Sequence, residues 1–195
     1  MATLTFDDGP DPRWTPRVLD ELGAAGVRAT FFVMAGRAWR WPDLVARAAA
    51  EGHEVELHCL EHVRHTESSR ERIENDTDAA LSLLAPLAVR PRRWRPPWGG
   101  CAAWTSDVAG ARGLALAGWT LDTQDWSGLS ARTMLWRSAP AARHGSVVLL
   151  HDGLGPGARR DGCGETAALI GPLAERLRAE GITLRPLGNR QVALP

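Results

Sequence analysis

Short apolar runs and segments of helical period alternate along the chain about seven times, and most of the apolar runs stop abruptly at a titratable residue. The pattern predicts strands over 3–6, 29–34, 54–57, 92–95, 114–121, 146–150 and 183–187. Between them it predicts helices over 15–25, 42–51, 68–84, 104–112, 131–142 and 165–180. Gly26, Gly52, Gly113 and Gly181 each follow a helical stretch, where a left-handed cap costs glycine least. Consecutive strand–helix units call for mainly parallel strands, so the expected fold class is α/β, a distorted or incomplete (β/α)7 barrel over a single domain, 1–195. Residues 152–164 carry no periodicity and are rich in glycine; they read as a lid or as an ordinary surface loop.

The strand ends carry the chemistry. Asp7 and Asp8 close the first apolar run and are followed at once by Gly9 and Pro10, which stop the strand. His58 and His62 follow the third strand and Arg95-Pro96-Pro97-Trp98-Gly99 the fourth, while Asp122 and Asp125-Trp126 follow the fifth and His151-Asp152 the sixth. Titratable side chains collected at successive strand ends are the layout of an α/β enzyme working on one face of its sheet or barrel.

Composition narrows that chemistry. All 23 basic residues are arginine and the chain has no tyrosine, which excludes a Schiff-base lysine, a phosphate-binding-loop lysine and a tyrosyl acid or base. Balanced charge, 23 basic against 23 acidic, gives no footprint for a nucleic acid or an anionic membrane. The chain reaches Asp7 with no room for an export signal, and no stretch approaches a membrane span, so a cytoplasmic protein is expected. Cys59, Cys101 and Cys163 are odd in number and scattered, which fits a reducing compartment.

Asp8, His58 and His62 meet the needs of a divalent metal, which takes converging nitrogen and oxygen donors with a position left for water. His-x-x-x-His spacing puts both imidazoles on one side of a helix or tight turn. Zinc is the default occupant, and two histidines with one aspartate also suit cobalt, nickel or iron. His65 either joins this site, supports a ligand or is simply exposed; His53 lies at the opposite end of its strand. Trp98, Trp104 and Trp126 are placed to stack on a flat ligand, whereas Trp14, Trp94, Trp119 and Trp136 read as packing residues.

Taken in order, these motifs resemble those of the polysaccharide deacetylases of the NodB-homology type, carbohydrate esterase family 4. Thr5-Phe6-Asp7-Asp8-Gly9, His58-Cys59-Leu60-Glu61-His62, Arg95-Pro96-Pro97-Trp98-Gly99, Asp122-Thr123-Gln124-Asp125-Trp126 and Leu149-Leu150-His151-Asp152 are similar to that family's five motifs. The resemblance implies a NodB-type seven-stranded barrel and metal-dependent removal of an N-acetyl or related acyl group. It makes Asp7 the general base, with Arg95 holding its carboxylate, and Asp8, His58 and His62 the metal ligands. His151 becomes the general acid, oriented by Asp122 or Asp125, and the backbone near Trp98 the oxyanion donor. Pro97, Trp98, Trp126 and Leu149 border the substrate. Cys59 and Val63 stand where a hydroxyl residue and a proline are usual, and Trp98 where tyrosine is common. The Cys59 thiol either approaches the metal or points into the core.

The expected substrate is a small-molecule or oligosaccharide N-acyl compound, an amino sugar or a glycosylated metabolite. A non-carbohydrate small amide is the alternative enzyme reading, and a barrel that binds without turnover the alternative from another class.

Overall fold

The structure, a computed structural model, describes residues 1–189 and 192. Seven strands are present among the described residues: β1 (Thr3–Asp7), β2 (Thr30–Met34), β3 (Glu54–Cys59), β4 (Arg93–Trp94), β5 (Ala115–Leu116), β6 (Leu121–Asp122) and β7 (Val147–His151). They pair in parallel in the order β5-β4-β3-β2-β1-β7-β6, and the sheet curls into a half-barrel. The helices are α1 (Thr15–Ala24), α2 (Ala35–Arg40), α3 (Pro42–Ala50), α4 (Arg70–Leu84), α5 (Thr105–Gly110), α6 (Ala131–Ser138) and α7 (Gly164–Ala179). Ser69 and Ser130 cap α4 and α6 by accepting the peptide N–H groups of Arg72 and Thr133. The four capping glycines all have positive φ, between 62° and 84°.

Two expectations about the strands need correction. The run 114–121 is not one strand: it supplies β5 to one edge of the sheet and β6 to the other, so 117–120 cross between them. The run 183–187 forms a single bridge, Leu184 to Ala2, rather than a strand. Its later backbone is spent on side chains, Leu187 N–H on the Thr30 hydroxyl and Gly188 N–H on the Glu54 carboxylate. The short helix α2 had no periodic signature of its own; six residues are too few to show one.

Alternation along the strands sorts two interiors. Leu4 and Phe6, Phe31 and Val33, and Val148 and Leu150 face the helices and form the main core with Leu19, Leu22, Leu169 and Leu173. Residues of the other phase are largely polar. Thr5 and Asp7 meet Arg95, Glu56 pairs with Arg93 at 2.8 Å, and only a small apolar cluster around Phe32, Ala117, Val147 and Leu187 fills the rest. Charges so deeply buried need partners, and each of these has one. Because every strand is parallel, all carboxyl ends share one rim, and Asp7 stands in register with His151 there.

Candidate active site

Asp8 follows β1 in a left-handed conformation, φ 71°, which aspartate tolerates better than bulkier residues. Arg37 of α2 donates to its carbonyl at 2.7 Å and to that of Leu154 at 2.9 Å, tying the turn to the loop beyond β7. This posture turns the Asp8 carboxylate toward His58 and His62, whose Nε2 atoms each lie 3.3 Å from Oδ1. Their ligating atoms fall within 4.8 Å of one another, as the sequence pattern required.

Whether this trio suits a metal is decided by its unused valences. Asp8 Oδ1 is buried yet makes no hydrogen bond. His58 Nδ1 lies 2.7 Å from the carbonyl of Arg95, which can only accept, so Nδ1 carries the hydrogen and the Nε2 lone pair is left facing Asp8. An orphaned carboxylate oxygen and a lone pair pointing at the same spot fit a cation. Burial alone would raise the Asp8 carboxyl, but the imidazoles beside it hold it well below the usual carboxylate range.

Asp7 is buried beside this cluster, its Oδ1 accepting from Arg95 Nη1 at 2.8 Å. Arg95 is fully buried and spends the rest of its fork on the Thr5 hydroxyl and the carbonyls of Ala117 and Gly118, with the Phe32 ring 4.0 Å beneath it. One arginine thus fixes the carboxylate and the chain crossing between the two edges of the sheet.

Of the two aspartates expected to serve His151, Asp125 does so: its Oδ1 is 2.7 Å from the ring Nδ1. Asp122 instead accepts from the Gln124 peptide at 2.7 Å and the Trp126 indole at 3.4 Å, and only borders the cleft. Burial would lower His151, but the charge of Asp125 and its hydrogen bond outweigh this and push the imidazole up to about 9. Asp125 is itself held below its ordinary value: burial opposes ionisation, and His151, Arg160 and Thr166 together overcome it.

Asp7, Asp8, His58, His62 and His151 line one cleft of about 370 Å³, bordered also by Trp98, Trp126 and Leu149, while Arg95 and Asp125 are buried behind it. Pro97 is buried and is not among the residues that border the cleft. Trp104 does not border it either: it stacks on His65 and packs against the core, while Trp119, read as a packing residue, borders the cleft. His65 stays outside the candidate metal cluster, bonded to the Thr105 hydroxyl and packed on Trp94. Burial, with the charge of His58, brings it down to about 4. His53 accepts the Ala29 peptide N–H away from the site. The Cys59 thiol is buried outside the candidate metal cluster, and burial raises it well above its usual range.

Two contributors, Arg64 and Arg160, were not singled out from the sequence. Arg64 lies over the Trp98 ring at 4.2 Å, with His62 edge-on to that ring at the same distance, so the indole is held by protein groups. The loop after β7 borders the cleft through Gly153, Gly155, Gly157 and Arg160, as a covering segment would. At Gly155 an added Cβ would lie 2.1 Å from Asp8 Oδ2, so only glycine allows the loop so near the carboxylate. Asp152, beneath, takes the Thr15 hydroxyl at 2.5 Å, and burial raises it to about 7. No local signal separates Arg160 from the other arginines; only its place in the glycine-rich loop hints at it.

Several known proteins are similar to this chain in sequence and in fold. The family model described as polysaccharide deacetylase matches residues 1–117. A chitooligosaccharide deacetylase of Bradyrhizobium sp. (strain ANU 289) is 35% identical over 196 residues, which cover 94% of this chain and 87% of the relative. A peptidoglycan-N-acetylglucosamine deacetylase of Bacillus cereus is 34% identical over 184 residues, covering 93% and 83%. The solved structure of a family 4 carbohydrate esterase from Streptomyces lividans in complex with acetate superimposes with a TM-score of 0.84 at 28% identity, covering 100% of this chain and 97% of that one.

Proposed function

Because the chain belongs to the polysaccharide deacetylase family, we propose that it hydrolyses the N-acetyl amide of an amino sugar, carried on a short oligosaccharide or a glycosylated small molecule. The observation that carries this reading is the convergence of a candidate metal cluster, the Asp7–Arg95 pair and the Asp125–His151 pair on one cleft.

Asp8, His58 and His62 would hold a divalent metal, zinc by the chemistry of the donor set, with cobalt, nickel and iron compatible. Such a metal would supply polarisation of the acetyl carbonyl and a lowered pKa for a water beside it. Asp7 takes the proton of the attacking water, its second carboxylate oxygen left over from the bond to Arg95. The peptide N–H of Trp98 is the donor assigned to the developing oxyanion. His151, protonated through Asp125, gives its Nε2 proton to the departing amine. Base and acid thus differ in surroundings, one carboxylate under an arginine, one imidazole over a carboxylate. Leu149 and Trp126 supply apolar surface for the acetyl methyl.

The test is release of acetate from N-acetyl chitooligosaccharides, run beside a panel of small non-carbohydrate N-acyl amides. Turnover of the oligosaccharides alone is the expected result; turnover of the simple amides alone would replace the sugar with another carrier.

A further inference from the structure

Asp125 is buried to 1% exposure, and its Oδ2 collects three donors: the His151 peptide N–H at 2.9 Å, the Thr166 hydroxyl at 2.7 Å and Arg160 Nη1 at 3.0 Å. Two of these come from elements already fixed, β7 and α7. Arg160 belongs to neither; it lies in the loop 152–163 that borders the cleft. Its other terminal nitrogen reaches the His151 carbonyl at 3.3 Å, the Gly153 carbonyl at 3.5 Å and Cys163 Sγ at 3.2 Å, and Nη1 also meets the Thr166 hydroxyl. A single guanidinium therefore holds the carboxylate behind His151, the main chain of His151, and two points of the covering loop. The loop is docked a second time by Arg159 N–H on the Trp126 carbonyl at 2.7 Å.

We propose that Arg160 is the positioning residue of the Asp125–His151 pair, so that seating the loop 152–163 over the cleft and setting the proton donor in its working place are one event. The proposal rests on the reading of His151 as general acid. A planar fork suits the task because it bonds a carboxylate and main-chain carbonyls in fixed directions, which a lysine ammonium does not. The charged groups acting on His151 are Asp125, Asp8 and Asp7, with Arg160 on the far side of Asp125. Arg160 also brings a cation near the imidazolium and so opposes its protonation.

The test compares Arg160→Gln, Arg160→Lys and Arg159→Gln in the full chain with bound metal. It follows kcat and KM for acetate release from a chitooligosaccharide, metal content, and the titration of the His151 ring by NMR. Arg159 is an exposed neighbour that touches Trp126 through its backbone only, so its replacement removes the same charge from the same loop. Arg160→Gln is expected to lower kcat about 10- to 100-fold, the weight of one or two hydrogen bonds to a charged group. KM and metal content should hold, and the His151 titration should move to higher pH. Arg160→Lys should recover part of kcat, and Arg159→Gln should behave as the native chain. Native kcat and an unmoved titration in Arg160→Gln would overturn the proposal, as would an equal loss in Arg159→Gln. If Arg160→Gln does not fold, Thr166→Val removes a donor from the same carboxylate and an anchor of Arg160, and native values there overturn it equally. Should the native chain release no acetate, the deacetylase reading fails while the titration still decides the role of Arg160.

Discussion

Asp125 grips His151 twice, Oδ1 lying 2.7 Å from the ring Nδ1 and Oδ2 2.9 Å from the peptide N–H. The double contact fixes ring and backbone together and places the proton on Nδ1, leaving Nε2 as the nitrogen that can exchange a proton with a ligand.

That relationship sets a pH window. His151 is pushed up to about 9 in the folded protein against 6.5 ordinarily, so as the proposed acid it should keep kcat/KM high until pH rises through about 9 and lose it beyond. Stability follows the same sign: a raised histidine pKa contributes fully below about 6.5 and is lost progressively as pH climbs to about 9. Asp125→Asn should move the alkaline limb of the rate profile to lower pH and remove this part of the dependence of Tm on pH. An unmoved limb in Asp125→Asn would disconnect the pair from catalysis.

Asp7→Asn keeps the size of the side chain and an acceptor for Arg95 but removes the proposed base. Activity should fall by about 100-fold or more while metal content is retained. Tm should fall too, because Arg95, 0% exposed, keeps its charge beside a neutral partner. Metal analysis with a deacetylation assay checks both halves.

Gly155→Ala places a methyl where Asp8 Oδ2 stands, 2.1 Å away. Either the carboxylate or the loop must retreat, so the variant should bind its metal at least about 10-fold more weakly, the scale of a displaced supporting group. Equilibrium dialysis measures this. Unchanged affinity would mean that the loop yields freely.

The thiols should separate by accessibility. Cys59 and Cys163 are buried, and burial raises the first well above its usual range and the second to about 12, whereas Cys101 is part-exposed. Iodoacetamide applied to the native protein should label Cys101 first, as peptide mapping after short exposure would show.

Much of the site was legible in the sequence because its residues close strands. Asp7, Asp8, His58, Arg95 and His151 each end or follow an apolar run, and parallel pairing carries all of them to one rim. The choice between Asp122 and Asp125 was not legible: both follow the same run, and only the turn through Gln124, in a left-handed conformation, sends one inward and leaves the other on its own loop. Nor was the split of 114–121, since a continuous apolar pattern does not say that its two ends pair with opposite edges of a sheet. The device that permits the crossing is Arg95, distant in sequence, which takes up the carbonyls of Ala117 and Gly118. Arg64 and Arg160 stayed hidden for a related reason, as a solvated arginine and one folded over a cleft look alike along a chain.

The central claim, that Asp8, His58 and His62 hold the cation on which deacetylation depends, is tested most directly by acetate release from a chitooligosaccharide, measured on the chelator-stripped protein before and after zinc is returned. Loss of activity on stripping, recovery at one zinc per chain, and no recovery in Asp8→Asn are the predicted results. Full turnover by the stripped protein, or recovery in Asp8→Asn equal to that of the native chain, would contradict the account.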